Sequence, residues 1–127
     1  SRMSRLLIDT HVVVWWAIAS PRVKPAWVEA IVDPSNTVVV SAATVWEVEI
    51  KKRAGKLPLP HDVVSLARGF GFELLSISPV DARRAGQLEW DHKDPFDRML
   101  LAQSLEGDMT IVTGDAAFDG APGVSLL

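Results

Sequence analysis

Four carboxylates stand where a fold can aim them at a common point. Asp9 directly follows the apolar run RLLI, Asp115 follows MTIVT by two residues, Glu47 lies within SAATVWEVEIKKRAGKL, and Asp97 sits in HKDPFDRMLLAQ. Converging carboxylates repel one another, and a hard divalent cation is the simplest compensation. The chain has no cysteine, so oxygen-only ligation favours Mg2+ or Mn2+ over zinc. Such clusters activate water and steady the charge of an in-line phosphodiester displacement.

Each acid also has a local explanation. Asp9 or Thr10 can cap a helix, and Asp115 can open a turn before a short helix, as Asp119 does in FDG. His11 could ligate a metal, although a lone histidine at a helix start is more often structural or solvated. Glu47 can pair with Lys51 one turn on, worth only ~0.3 kcal/mol, too little to account for an acid at the edge of a core face. Capping explains Asp94 completely, with Pro95 as the first helical residue. It explains Asp97 less well, because on the helical wheel Asp97 falls between Leu100 and Leu101. There a carboxylate is driven toward its neutral form unless a cation or several donors compensate.

The elements that must position these acids alternate. RLLI (5–8), NTVVV (36–40), ELLSI (73–77) and MTIVT (109–113) read as strands, and GVSLL as a terminal edge strand. DTHVVVWWAIAS reads as a turn and helix, with a longer strand as the rival because of Val12 to Val14. PAWVEAIVD, a helix from Ser41 to about Ala54, HDVVSLARGFG, PVDARRAGQLEW and DPFDRMLLAQSLEGD supply the other helices. On the Glu47 helix the packing stripe is expected to be Ala43, Trp46, Ile50, Ala54 and Leu57, with Glu49, Lys52 and Arg53 solvated. Alternating strands and helices indicate a parallel sheet covered on both faces, in which ligands bind beyond the carboxyl ends of the strands. Asp9 and Asp115 both fall there.

At 127 residues, the chain (1–127) reads as one domain with its own core. Its 48% hydrophobic and 23% charged residues argue against disorder. The longest apolar run, VVVWWAIA, is too short to span a bilayer, and no secretory signal is apparent, so a cytoplasmic place is expected. Ser1 and Arg2 before Met3 read as a cloning scar. The net charge of −3 argues mildly against nucleic-acid binding, but setting four carboxylates aside as cation ligands leaves the remainder slightly positive.

The ordered combination LLIDTHVVVWW, SAATVWEVEIKKRAGKL and HKDPFDRMLLAQSLEGDMTIVTGDAAF resembles a PIN domain, and more narrowly the VapC-type toxins of bacterial toxin–antitoxin pairs. The resemblance runs from Leu6 to about Val124. It implies a PIN-like three-layer α/β/α sandwich on a central, mainly parallel sheet. It also implies an Mg2+- or Mn2+-dependent ribonuclease activity leaving 5′-phosphate and 3′-hydroxyl ends. Carried over, the catalytic and metal-binding cluster is Asp9, Glu47, Asp97 and Asp115. Thr113, Ser41 and Asp94 match supporting positions, Asp94 as a cap first.

Gly114 departs from the pattern, standing where many relatives carry arginine or another polar residue, and so removes a phosphate contact. Arg98, Lys51 and Lys93 are the candidates to grip RNA instead, each weighed against an ordinary surface charge or, for Arg98, a pair with an acid. Lys52 is assigned to solvent. The resemblance further implies a VapB-like antitoxin whose tail enters the cleft, and a homodimer. Trp15 and Trp16 offer apolar surface for such contacts, whereas Trp46 is expected in the core. Two rivals differ in class. A phosphoacceptor receiver domain would need adjacent acids near the first strand and a lysine after a late one; Asp9 has no acidic neighbour and the last lysine is Lys93. A catalytically idle binding module would need a reason for keeping all four acids.

Overall fold

A computed structural model of the protein describes residues 4–127; Ser1 and Arg2 lie outside the described residues. The elements run β1 (Arg5–Ile8), α1 (Thr10–Ala17), α2 (Pro25–Val32), β2 (Thr37–Ser41), α3 (Ala42–Arg53), α4 (Val63–Gly69), β3 (Glu73–Leu75), α5 (Pro79–Gln87), α6 (Pro95–Glu106), β4 (Thr110–Val112) and a short 3-10 turn (Ala116–Gly120). The four strands form one parallel sheet in the order β3-β2-β1-β4. The order reverses at β1, which lies between β2 and the late strand β4. The crevice at the carboxyl ends of β1 and β4 is therefore where such a sheet places a site.

Strand alternation sorts the core into two layers. Leu6, Ile8, Val38, Val40 and Val112 face the cluster that α1, α2, α3 and α4 cover, with Val12, Trp27, Val48 and Val63 buried in it. Leu7, Val39 and Ile111 face the opposite side, against Leu100, Leu101 and Phe118. The result is the three-layer α/β/α arrangement that the alternation of elements predicts. Among the described residues no helix is long and apolar enough to cross a membrane.

The helix read over DTHVVVWWAIAS is present and the rival strand is not: Val12 to Val14 are helical although β-branched residues form helices poorly, because all three side chains are buried and Asp9 caps the first turn. Three expectations are corrected. GVSLL does not form a strand. It makes a single parallel bridge between Ile111 and Leu126, because a turn with Gly123 at φ 69° brings the chain to the sheet edge only at Ser125. The stripe on α3 is rotated from the expected one. Ala43, Thr44, Glu47 and Val48 are buried, whereas Trp46 is 63% exposed and lies edge-on to Phe96, and Ile50 is 46% exposed. Finally, α5 ends at Gln87 rather than continuing to Trp90. The carbonyl of Ala85, which a longer helix would use internally, instead accepts a hydrogen bond from Arg98 Nε at 3.1 Å.

Candidate metal centre

Asp9 stands one residue past β1, where its backbone N–H still reaches Val112 O on β4 (3.1 Å). Its carboxylate does two jobs. Oδ1 accepts the Val12 N–H (2.9 Å) and caps α1, while Oδ2 accepts the Thr113 hydroxyl at 2.5 Å. Thr113 Oγ1 in turn accepts the Asp115 N–H (3.0 Å), and Asp115 caps the 3-10 turn through Ala117 N–H (2.9 Å). Two adjacent parallel strands thus deliver Asp9 and Asp115 side by side, with the Thr113 hydroxyl between them.

Glu47 arrives from the other side of β1. Ser41 ends β2 and caps α3 by accepting the Ala43 N–H (3.0 Å), and its hydroxyl donates to Gln103 Oε1 (2.5 Å) on α6. Two turns into α3, Glu47 is buried; its Oε1 accepts the Thr10 hydroxyl (2.5 Å) and its Oε2 pairs with Lys51 (3.1 Å). Glu47 is therefore tied to the residue beside Asp9, and the Glu47–Lys51 pair weighed from spacing is present. With its ammonium on Glu47, Lys51 is committed to an acid, and the expectation that it grips phosphate gains no geometric support.

At the head of α6, Asp94 Oδ1 accepts the N–H groups of Phe96 (2.8 Å) and Asp97 (3.1 Å), the cap read from the sequence. Asp97 is half-buried, and its Oδ2 lies 2.6 Å from His92 Nε2. The ligand atoms of His92, Asp94 and Asp97 all fall within 4.8 Å of one another. Replacing Asp94 by alanine is expected to cost about 1 kcal/mol of stability through loss of the cap. RNA cleavage should fall far less than in a variant lacking the Asp97 charge; urea denaturation beside an activity assay measures both.

The electrostatics join these pieces. Burial raises the Asp9 carboxyl above its ordinary range, against the Thr113 and Val12 hydrogen bonds, and the Asp115 charge raises it further. Burial likewise pushes Asp97 up to about 6, with His92 opposing and the charges of Asp94 and Asp115 adding to it. The Asp115 charge thus reaches both Asp9 and Asp97, and Glu47 is tied to Thr10 beside Asp9. Among the described residues the ligand atoms that lie within 4.8 Å of one another are those of His92, Asp94 and Asp97, so the four motif acids do not form one such group. Partly desolvated carboxylates are nevertheless a donor type that suits a hard divalent cation.

Other expectations are changed by what the side chains touch. Arg98 donates from Nε to Ala85 O (3.1 Å), from Nη1 to Trp90 O (2.7 Å) and His92 O (3.1 Å), and from Nη2 to Leu88 O (2.8 Å). Its fork is spent on the loop between α5 and α6, so it neither grips phosphate nor pairs with an acid. Lys93 is exposed. Sequence reasoning passed over three residues. Thr10 holds Glu47, His92 holds Asp97, and Gln103 ties Ser41 to Ser76 O and Asp81 (both 3.3 Å). The signal for Gln103 was a polar residue inside the apolar run LLAQ. Thr10 and His92 showed only adjacency to motif acids.

A groove of about 410 Å³ beside α3, lined by Val45, Trp46, Val64 and Leu74, holds none of the four acids. Asp115 opens instead on a cavity of about 240 Å³ lined by His11, Trp15, Arg22 and Gly114.

An α/β/α domain with carboxylates gathered at the carboxyl ends of parallel strands is a scaffold for cation-assisted chemistry on an anionic substrate. The family model described as PIN domain matches residues 6–124. The chain belongs to the PIN domain family. It is 27% identical over 116 residues to a Mycobacterium tuberculosis protein named ribonuclease VapC22, covering 89% of this chain and 88% of that one. Its fold is similar to DNA-bound VapBC from Salmonella typhimurium (TM-score 0.73, 19% identity, 98% of each chain). It is also similar to VapBC2 from Rickettsia felis bound to a promoter DNA fragment (TM-score 0.72, 17% identity, 97% of each chain).

Proposed function

We propose that this protein is a divalent-cation-dependent endoribonuclease toxin, held in check by a VapB-like antitoxin. The observation that carries the reading is the placement of Asp9 and Asp115 just past the carboxyl ends of β1 and β4, joined through Thr113, with Glu47 tied beside Asp9 through Thr10. The similarity to ribonuclease VapC22 and to solved VapBC assemblies supports it. Asp9, Asp97, Asp115 and Glu47 would hold Mg2+ or Mn2+. When bound, the cation supplies Lewis acidity for water and counter-charge for the phosphoryl oxygens.

The residues of the chain do the rest. Thr113 fixes the orientation of Asp9 and His92 that of Asp97, so neither carboxylate must be reorganised on substrate binding. Asp97, held by His92 at the head of α6, is the carboxylate placed to take a proton from an attacking water. Water adds to phosphorus, the P–O3′ bond breaks, and the departing O3′ takes a proton, leaving a 3′-hydroxyl and a 5′-phosphate. A homodimer and a cytoplasmic place of action complete the proposal.

Incubating the protein with a mixed RNA pool tests this directly. Cleavage that requires Mg2+ or Mn2+, stops with EDTA and is lost in Asp97→Asn is the expected result. No cation-dependent cleavage by the parent, or cleavage by Asp97→Asn at the parent rate, would overturn it and leave an idle binding module.

A further inference from the structure

A carboxylate-lined crevice in a chain of net charge −3 repels RNA until something beside it attracts the strand. The cations close in sequence to the motif acids are occupied or lie free in solvent: Lys51 pairs with Glu47, Arg98 holds four carbonyls, and Lys93 is exposed. Two others are placed differently. The rings of Trp15 on α1 and Trp27 on α2 stack with centroids 6.3 Å apart and planes 8° from parallel. The Arg22 guanidinium lies 5.7 Å from the Trp15 centroid and Lys24 Nζ lies 5.2 Å from the Trp27 centroid. Among the described residues neither cation forms an ion pair.

This basic and aromatic surface meets Asp115. Trp15, Arg22 and His11 line the same cavity as Asp115. Gly114, next to Asp115, makes room for it. A Cβ there would stand 3.3 Å from the Trp15 ring and 3.4 Å from the Trp27 ring, so any side chain would press on the stacked pair. Arg22, from the connection between α1 and α2, puts a positive charge on the rim of this cavity. Trp27 is buried, so it backs the partly exposed Trp15 ring rather than offering a face of its own. An aromatic ring with cations beside it is what single-stranded nucleic acid uses, a base against the ring and phosphates against the charges.

We propose that the Trp15 ring, backed by buried Trp27 and flanked by Arg22 and Lys24, is the subsite that seats the RNA nucleotide flanking the scissile phosphate on the Asp115 side of the crevice. The inference rests on the ribonuclease reading above and extends it to how the strand is held. Arg22 takes the phosphate nearest the acids and Lys24 continues the track. Both side chains are exposed, so trimming them to alanine removes no buried core atom.

The test uses Arg22→Ala, Lys24→Ala and the double variant, with two readouts. Steady-state cleavage of a short single-stranded RNA should show KM raised about tenfold in the double variant and kcat within about twofold of the parent. Equilibrium binding of the same end-labelled RNA, with Asp97→Asn added to prevent cleavage, should show a salt dependence of log Kd flattened by about 0.7 for each phosphate that is no longer neutralised. Arg22→Lys should restore the slope, because the charge returns. A parent that cuts RNA beside a double variant with unchanged KM and unchanged slope overturns the subsite. It does so equally if that variant loses its antitoxin instead, which would assign this surface to a protein partner. A parent that neither cuts nor binds RNA overturns the ribonuclease reading, and the subsite with it.

Discussion

Asp97→Asn is expected to lower RNA cleavage by more than about 100-fold and yet to make the cation-free protein more stable at neutral pH. The loss of activity follows because the variant keeps the shape of the side chain but not its charge. Removing even a group that only orients a metal ligand costs about 10–100-fold, and a ligand should cost more. The gain in stability follows from the raised carboxyl. In the folded chain it titrates at about 6, against 3.8 for an unperturbed aspartate, so between those values the folded state holds a proton that the unfolded state has released. Stability from this group is therefore highest below the unfolded value and falls as pH rises through the folded one. The penalty reaches at most about 3 kcal/mol above pH 6. Asparagine has no charge to desolvate and can still accept from His92. The variant's melting temperature should thus exceed the parent's at pH 7.5 and approach it at pH 4.5. Taking the difference between the two proteins cancels the carboxylates that behave oppositely, such as Asp33 and Asp62, whose hydrogen bonds with Ser35 and Ser65 hold them low. Adding Mn2+ should raise the parent's melting temperature and leave the variant's nearly unmoved. A variant less stable than the parent at pH 7.5 would mean that the Asp97 carboxylate is a structural partner of His92 rather than a charge held for a cation.

The placement of Asp9 and Asp115 was legible because it follows from backbone periodicity alone: each stands just past a strand of a parallel sheet. Asp94 was legible as a cap because a proline followed it. What periodicity does not carry is the partner across the fold. Thr10 and Glu47 are 37 residues apart, and Thr113 and Asp9 are 104 apart. No local pattern announces such pairs. The misreading of α3 has a related cause. A helical wheel turns the most apolar face inward, but here Thr44 and Glu47 face inward toward Thr10, and Trp46 and Ile50 are turned out to solvent. Local rules fail most readily where a helix serves a site, and the rotated stripe on α3 is what the proposed role of Glu47 would require.

Arg98 gives the second large effect, and it is chiefly one of stability. Its guanidinium bonds four carbonyls, that of Ala85 in the last turn of α5 and those of Leu88, Trp90 and His92 in the loop that follows. Deleting the side chain strands acceptors that are only partly open to water. Each bond from a charged donor is worth about 1.5–3 kcal/mol and the set is not additive, so Arg98→Ala should lose at least about 3 kcal/mol in urea denaturation. Arg98→Lys should recover less than half of that, since one ammonium cannot reproduce a planar fork spread over four carbonyls. The same loop carries His92 to Asp97 and packs Trp90 against Phe118 in the turn that follows Asp115. Loosening it should therefore lower kcat at temperatures where the variant is still folded, with KM little changed. A residue gripping phosphate would do the reverse: stability within about 0.5 kcal/mol of the parent, a raised KM and a flattened salt dependence. The two roles are thus separated by two measurements on one variant, and the four carbonyl bonds commit Arg98 to the first.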